Sequence, residues 1–176
     1  MSKRITITAA LPYANGPLHL GHLAGAYLPA DIYARTQRSL GRDIAFVCGS
    51  DEHGAAITIK SKKEGLTPQQ IIDTYHEINK GTFQQLGISF DIYHRTSAKD
   101  HHEMAQEFFT HLYQMGDQFE EKVTKQYYDE EFDQFLADRY IVGTCPKCGH
   151  DEAYGDQCEK CGSALSPNEL IDPRST

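Results

Sequence analysis

From Arg4 to Leu11, polar and apolar positions alternate and then merge into an apolar run that ends at Pro12. This pattern predicts a buried strand. A helical spacing follows from Leu20 to Ser39, with Gly41 just beyond its end. Pro29 inside that stretch predicts a kink or a fresh helical start. Asp43–Cys48 reads as a second short apolar strand, and Ala55–Glu64 as a helix closed by Gly65. Thr67-Pro68-Gln69-Gln70 carries an N-cap, a proline at the first helical position and a glutamine at the capping-box position. The helix it opens is predicted to run to Leu86 and stop at Gly87. Ile88–His94 predicts a third strand, and Ser97 is expected to cap a helix that reaches Met115 and ends at Gly116.

Strands that alternate with helices imply parallel pairing through right-handed crossovers. The texture changes after Gly116. Tyr127-Tyr128 and Phe132–Ile141 read as short strands in an acidic background, followed by paired cysteines and a proline-containing tail from Leu165 to Thr176. The expected organisation is an α/β domain over 1–116 and a β-rich segment over 117–176.

The 176 residues carry 25 acidic and 17 basic side chains, a net charge of −8. That balance argues against a broad nucleic-acid-binding face on this chain, though not against a local pocket for one anion. No apolar run approaches the roughly 20 residues of a membrane span. The N-terminus, MSKRITITAA, lacks the apolar core of a secretory signal. A cytoplasmic protein with no membrane partner is expected.

The stretch AALPYANGPLHLGH, Ala9 to His22, carries the first candidate chemistry. In an open parallel sheet, ligands sit at the carboxyl ends of the strands. Asn15-Gly16 lets backbone approach a ligand closely, and the helix that follows begins with unpaired N–H groups. His19 and His22 share one face of its first turn. Both can donate to phosphate oxygens and stabilise charge that develops during attack at an α-phosphorus. Gly21 between them leaves room for a planar base. The plainer alternative is a helix cap with two incidental histidines.

The segment VCGSDEHGAAI, Val47 to Ile57, leaves the second strand at the same sheet edge. Asp51 there could hold an ammonium group or simply cap the next helix. Cys48 is expected to be a buried core thiol. His101-His102-Glu103 reads as a solvated helix face.

Cys145-Pro-Lys-Cys148 and Cys158-Glu-Lys-Cys161 lie nine residues apart, each followed by glycine, Gly149 and Gly162. Four thiolates at this spacing suit a closed, tetrahedral Zn2+ site of structural type. Two disulfides or free thiols are the alternative, disfavoured in a reducing compartment. Lys147 and Lys160 can offset the negative charge of the cluster.

His19-Leu20-Gly21-His22 resembles the HIGH signature of class I aminoacyl-tRNA synthetases. The lead-in Pro12-Tyr13-Ala14-Asn15-Gly16 is similar to that of the subgroup for methionine, isoleucine, leucine and valine. Ser50-Asp51-Glu52-His53-Gly54 and the single cysteine knuckle, with Tyr154-Gly155-Asp156 between its pairs, narrow the resemblance to the methionyl-tRNA synthetase family. The resemblance covers essentially the whole chain in order. It implies the N-terminal half of a Rossmann-like parallel-sheet nucleotide-binding fold, with part of a zinc-knuckle insertion. It also implies ATP (with Mg2+), methionine and tRNA as substrates. By the same resemblance His19 and His22 are catalytic, and Asn15, Gly16, His19, Gly21 and His22 bind ATP. Leu11, Tyr13 and Asp51 bind methionine, and Cys145, Cys148, Cys158 and Cys161 hold zinc. For Tyr13, packing at a strand end is the plain alternative.

The family's lysine-rich KMSKS loop has no counterpart here, since Lys60-Ser61-Lys62-Lys63 falls too early and in a helix. The expectation is therefore an N-terminal fragment, inactive alone. Its strands are expected to lack partners and to leave Ile5, Ile7, Phe46 and Val47 partly uncovered, which favours self-association. An isoleucyl- or valyl-type synthetase is the runner-up within the class. A non-catalytic zinc-ribbon binding module is the runner-up outside it, disfavoured by the acidic surroundings of the knuckle.

Overall fold

The computed structural model describes residues 4–130 and 133–175. Two units are resolved, Met1–Gln118 and Phe119–Thr176.

The first unit is built on three parallel strands, β1 (Ile5–Thr8), β2 (Ile44–Ser50) and β3 (Ile92–Arg95), in the order β1-β2-β3. Ile7 lies opposite Phe46, and Cys48 opposite Tyr93. β2 is central, and its inner positions Phe46, Cys48 and Ser50 are buried. Phe46 packs with Ile7 and Ala34, with Phe90 against them, and Cys48 with Leu23, Tyr27 and Phe83. Burial of a side chain of this size stabilises by about 1.5–3 kcal/mol. Ile7 and Phe46 are therefore covered, contrary to the expectation of partly bare faces, because α2 (Leu28–Ser39) and the Phe90 segment close over them. The thiol of Cys48 is buried as expected, and that burial pushes its pKa up to about 11.

The long helix expected over 20–39 is divided. A three-residue turn, α1 (Leu20–His22), passes into a π-helical stretch, Leu23–Tyr27, and α2 then begins with Pro29 in its first turn. Proline has no N–H to give the preceding turn, so a fresh start is the outcome its chemistry favours.

α3 (Ala55–Glu64) and α4 (Pro68–Gln85) follow β2. Thr67 and Gln70 cap each other reciprocally, Gln70 N–H to Thr67 Oγ1 and Thr67 N–H to Gln70 Oε1. Gly65 and Gly87 close the two helices at positive φ, where a side chain is disfavoured. The inner face of α4 carries Ile71, Ile72, His76, Asn79 and Phe83.

Two boundaries differ from the sequence pattern. β1 is shorter than Arg4–Leu11, and Leu11 is half-exposed, because pairing with β2 breaks after Thr8 and resumes only at Tyr13. The third strand begins at Ile92 rather than Ile88. The segment before it is held by side chains as well as backbone: Asp31 accepts from Ser89 N–H and Oγ–H, Asp91 accepts from Phe46 N–H, and Asp91 N–H donates to Phe46 O. Burial works against the charge on Asp31, but the bonds from Ser89 and Arg35 outweigh it and lower its pKa.

α5 (Lys99–Gln114) starts one residue after Ala98, and Ser97 is not its cap. The Ser97 hydroxyl donates to the carboxylate of Glu52 instead, an ionised acceptor that makes the stronger bond. No residue of α5 is buried.

The second unit contains a two-stranded hairpin, β4 (Tyr128–Asp129) with β5 (Gln134–Phe135), and a three-stranded antiparallel sheet. The sheet is ordered β7 (Ala153–Tyr154), β6 (Ile141–Thr144), β8 (Ile171–Ser175). A 3-10 turn, Asp138–Tyr140, occupies part of the expected Phe132–Ile141 strand; Phe132 itself lies outside the described residues. The tail is not irregular. Ile171–Ser175 pairs with β6 around a register shift at Val142/Thr144. Its sequence gives no alternating pattern because every one of its residues is exposed, and Pro173 is compatible with an edge strand. Gly143 allows this pairing, since a Cβ there would lie 2.8 Å from the Ile171 carbonyl oxygen.

Candidate functional site

Tyr13 and Asp51 form a parallel bridge just beyond the carboxyl ends of β1 and β2. Ala14 N–H donates to Asp51 O at 2.8 Å, and Asp51 N–H donates to Pro12 O at 2.8 Å. The two connections singled out by sequence are thus locked side by side. The hydroxyl of Tyr13 lies where a Cβ on Gly54 would come within 2.5 Å. Gly54 also has φ of 119°, so this position excludes a side chain on two grounds.

Leu11, two residues before Tyr13, lines a cavity with Thr8, Cys48, Gly49, His94 and Met104. The cavity encloses about 630 Å³ and opens at the carboxyl edge of the sheet.

The two histidines cap the same turn. Gly21 N–H and His22 N–H donate to Nδ1 of His19, at 3.1 and 3.3 Å, and His19 N–H donates to Nδ1 of His22 at 3.3 Å. The capping alternative is therefore real, but it does not exhaust the side chains. Accepting at Nδ1 assigns the ring proton to Nε2 in a neutral imidazole. The rings stack with centroids 3.6 Å apart, and both residues are exposed. Two Nε2–H donors are presented together from a turn whose Gly21 and His22 amides are already bonded to His19.

The lead-in to that turn is held from below by a residue the sequence pattern did not single out. Asn79, fully buried on α4, accepts from Leu18 N–H at 3.2 Å and donates to Gly16 O at 3.4 Å. The visible signal was a polar residue at an apolar position of a helical face. His76, one turn earlier, is a second such signal.

Glu52 was likewise passed over in favour of its neighbour Asp51. Its side chain is wholly buried and receives Arg95 Nε at 2.9 Å on both oxygens, together with Ser97 Oγ. Arg95 reaches Asp73 with its other arm at 2.6 Å. Burial alone would favour the neutral form of Arg95, but the bonds to Glu52 and Asp73 raise its pKa. His76 lies 3.6 Å from Glu52, and its Nδ1 bonds Ser50 Oγ at 2.8 Å. Burial first, and Arg95 second, lower the pKa of His76 and keep it neutral. This buried network fixes the backbone on both sides of Asp51.

In the second unit, the four cysteine sulfurs lie within 4.8 Å of one another. Cys145 Sγ is 3.9 Å from Cys161 Sγ, and Cys148 Sγ is 3.6 Å from Cys158 Sγ. Sulfurs at the corners of a tetrahedron with 2.3 Å zinc bonds stand roughly 3.8 Å apart, whereas a disulfide requires about 2.05 Å. The donor set therefore fits zinc. Each pair folds into the same knuckle. Gly149 N–H returns to Cys145 O and Gly162 N–H to Cys158 O, both glycines at φ of 70°. Ser163 bonds to Cys161 and holds that thiol below its usual range.

Parallel strands, ligand-facing connections at their carboxyl ends and a four-cysteine knuckle define an α/β protein of nucleotide-binding type. A family model described as "tRNA synthetases class I (M)" matches residues 5–176, and the chain belongs to that family. Methionine--tRNA ligase of Flavobacterium psychrophilum is 65% identical over 174 residues, covering 99% of this chain and 25% of the relative. That of Cytophaga hutchinsonii is 65% identical over 173 residues, covering 98% and 25%. A solved Mycobacterium tuberculosis methionyl-tRNA synthetase, in complex with methionyl-adenylate, superposes with a TM-score of 0.66 at 24% identity. The match covers 86% of this chain and 30% of that one, and it shows the shared fold. The chain thus spans about a quarter of the length of the curated relatives it matches.

Proposed function

We propose that these residues belong to a methionine–tRNA ligase and carry part of its adenylate-forming site. The observation that supports this most directly is the paired Nε2–H donors of His19 and His22 at the carboxyl edge of a parallel sheet. In the proposed reaction a methionine carboxylate oxygen attacks the α-phosphorus of ATP and pyrophosphate leaves. The methionyl group then passes from the adenylate to a hydroxyl of the terminal adenosine of tRNA, which loses its proton as the ester forms, and AMP leaves. His19 and His22 donate to phosphate oxygens as negative charge builds up, where each preorganised donor is worth about 10²–10³ in rate. Asn15 and Gly16 shape the approach, and Gly21 lies against the adenine. Asp51 holds the ammonium of methionine, with Tyr13 and Leu11 against its side chain, a thioether packing favourably on an aromatic edge. Mg2+ accompanies ATP and offsets its phosphate charge.

One structural Zn2+ per chain is proposed on Cys145, Cys148, Cys158 and Cys161. It leaves no open coordination position for catalysis. Among the described residues no helix is long and apolar enough to cross a membrane, and the proposed location is the cytoplasm.

The activity is proposed for the whole protein, and the 176 residues alone are proposed to lack it. They are also proposed to self-associate, since among the described residues β1 and β3 pair only with β2 and unpaired edges recruit partners. A compact monomer at all concentrations in light scattering would overturn that last point.

Methionine-dependent pyrophosphate exchange tests the function. Asp51→Ala in the whole protein should raise the KM for methionine far more than that for ATP. Equal effects on both would reduce Asp51 to a backbone position in the bridge. Exchange by the purified 176-residue chain would contradict the inactivity.

A further inference from the structure

His102 was expected on a solvated helix face, and it is exposed. Yet its Nε2 lies 3.2 Å from Nε2 of His53, in the loop that carries Asp51. His53 Nε2 is also 3.3 Å from the carbonyl oxygen of Thr96. His53 Nε2 thus faces a second imidazole nitrogen and a carbonyl oxygen, each from a different segment. One ring proton can serve either the pair of nitrogens or the carbonyl, so hydrogen bonding leaves one of the two contacts without a full bond.

A divalent ion would satisfy all three lone pairs. Metal–nitrogen bonds of about 2.0–2.1 Å that span 3.2 Å subtend roughly 100°, close to a tetrahedral angle. Two imidazoles and one carbonyl suit the borderline ions Zn2+, Ni2+ and Cu2+.

The donors are also held in place. Thr96 N–H donates to Ser50 O at 3.1 Å, and Thr96 Oγ1 accepts from Glu52 N–H at 2.8 Å. The carbonyl is thus anchored beside the buried Glu52–Arg95 pair. The start of α5 is held by Asp100, whose carboxylate lies 3.2 Å from His94 Nε2. The net charge of −8 favours any cation that approaches.

We propose that His53, His102 and the Thr96 carbonyl form a second, solvent-accessible site for a borderline divalent metal ion. Its remaining positions are filled by water. Binding would join the first turn of α5 to the loop after β2. The site is separate from the four-cysteine cluster and does not depend on the proposed ligase activity.

The test is calorimetric titration of Ni2+ into the 176-residue chain with its cysteine cluster already filled by zinc. One further equivalent should bind. Losses of outer-shell partners alone weaken metal sites by about 10–100-fold, so His102→Ala and His53→Ala should each weaken binding by at least that range. His101→Ala, one residue away, should leave it unchanged. The ring signals of His53 and His102 should broaden first as paramagnetic Ni2+ is added. If His102→Ala reduces helix content, His102→Gln serves in its place, with the same loss expected. Nickel affinity unchanged by either substitution, or an absence of binding with both ring signals sharp, would overturn the site.

Discussion

The two units are held together by different means. The first has a parallel sheet with one face covered by α2, the turn before it and α4, with Phe46, Ile71 and Asn79 among its fully buried side chains, and a polar network of Glu52, Arg95, His76 and Ser50. The second has strands of two to five residues and a core of six buried residues, Leu136, Ile141, Cys145, Ala153, Cys158 and Leu170. Two of those six are themselves cysteines of the cluster. A unit of this size buries too little apolar surface to be stable by packing alone, and small domains compensate with metals or disulfides. The first unit uses polar residues to place a site within a core that already holds. In the second, the polar cluster takes the place of most of a core.

The largest expected effect separates the two. Chelation of the proposed zinc, or Cys158→Ser, should abolish amide protection in β6 and β7 and leave β1 and β2 protected. Structural zinc supplies on the order of 10 kcal/mol or more to small domains. Hydrogen exchange read by mass spectrometry checks this, and retained protection in β6 would mean that the six-residue core suffices.

Within the first unit, Glu52→Ala removes the buried one of the two carboxylates that hold Arg95 and leaves Asp73. Breaking one partner of a buried pair costs about 3–5 kcal/mol; Arg95 is a quarter exposed, so the lower end is expected. Chemical denaturation measures it, and the double variant Glu52→Ala/Arg95→Met should recover part of the loss.

Asn79→Ala should cost about 1–3 kcal/mol, because Leu18 N–H and Gly16 O lose their partner under partial burial. The effect should be seen first as faster exchange at Leu18, and unchanged exchange there would show that the loop is held by other contacts.

The smallest effect is a slope with pH. The folded pKa of His76 is depressed below its ordinary 6.5 by burial, so the unfolded chain binds the extra proton first. The stabilisation is complete above about 6.5 and is lost as the pH falls from there through the folded pKa. His76→Gln should flatten stability between pH 7 and 5, and an unaltered slope would assign it elsewhere.

Much of the chain was legible because its signals are local. Ala55–Glu64 and the reciprocal cap of Thr67 and Gln70 depend on residues within one or two turns, and both appear as the pattern predicts. The cysteine spacing likewise determines which sulfurs converge, since each knuckle closes through its own glycine. Where strands and caps compete with distant partners, local pattern was insufficient. Ser97 left its helix for Glu52, the segment before the third strand gave its Ser89 amide to Asp31, and β8 carried no alternation because it is exposed throughout.

The candidate site divides along the same line. Sequence alone pointed to the connections after the first two strands, and the order of strand and loop is what brings Tyr13 and Asp51 side by side. Only the tertiary structure decided how they are held. The bridge between Tyr13 and Asp51 and the support from Asn79 come from contacts between segments 38 to 63 residues apart, whereas the ring nitrogens of His19 and His22 are set locally by their own reciprocal cap. Hydrogen-bond geometry of that kind is set by packing in three dimensions, and no periodicity in the chain encodes it.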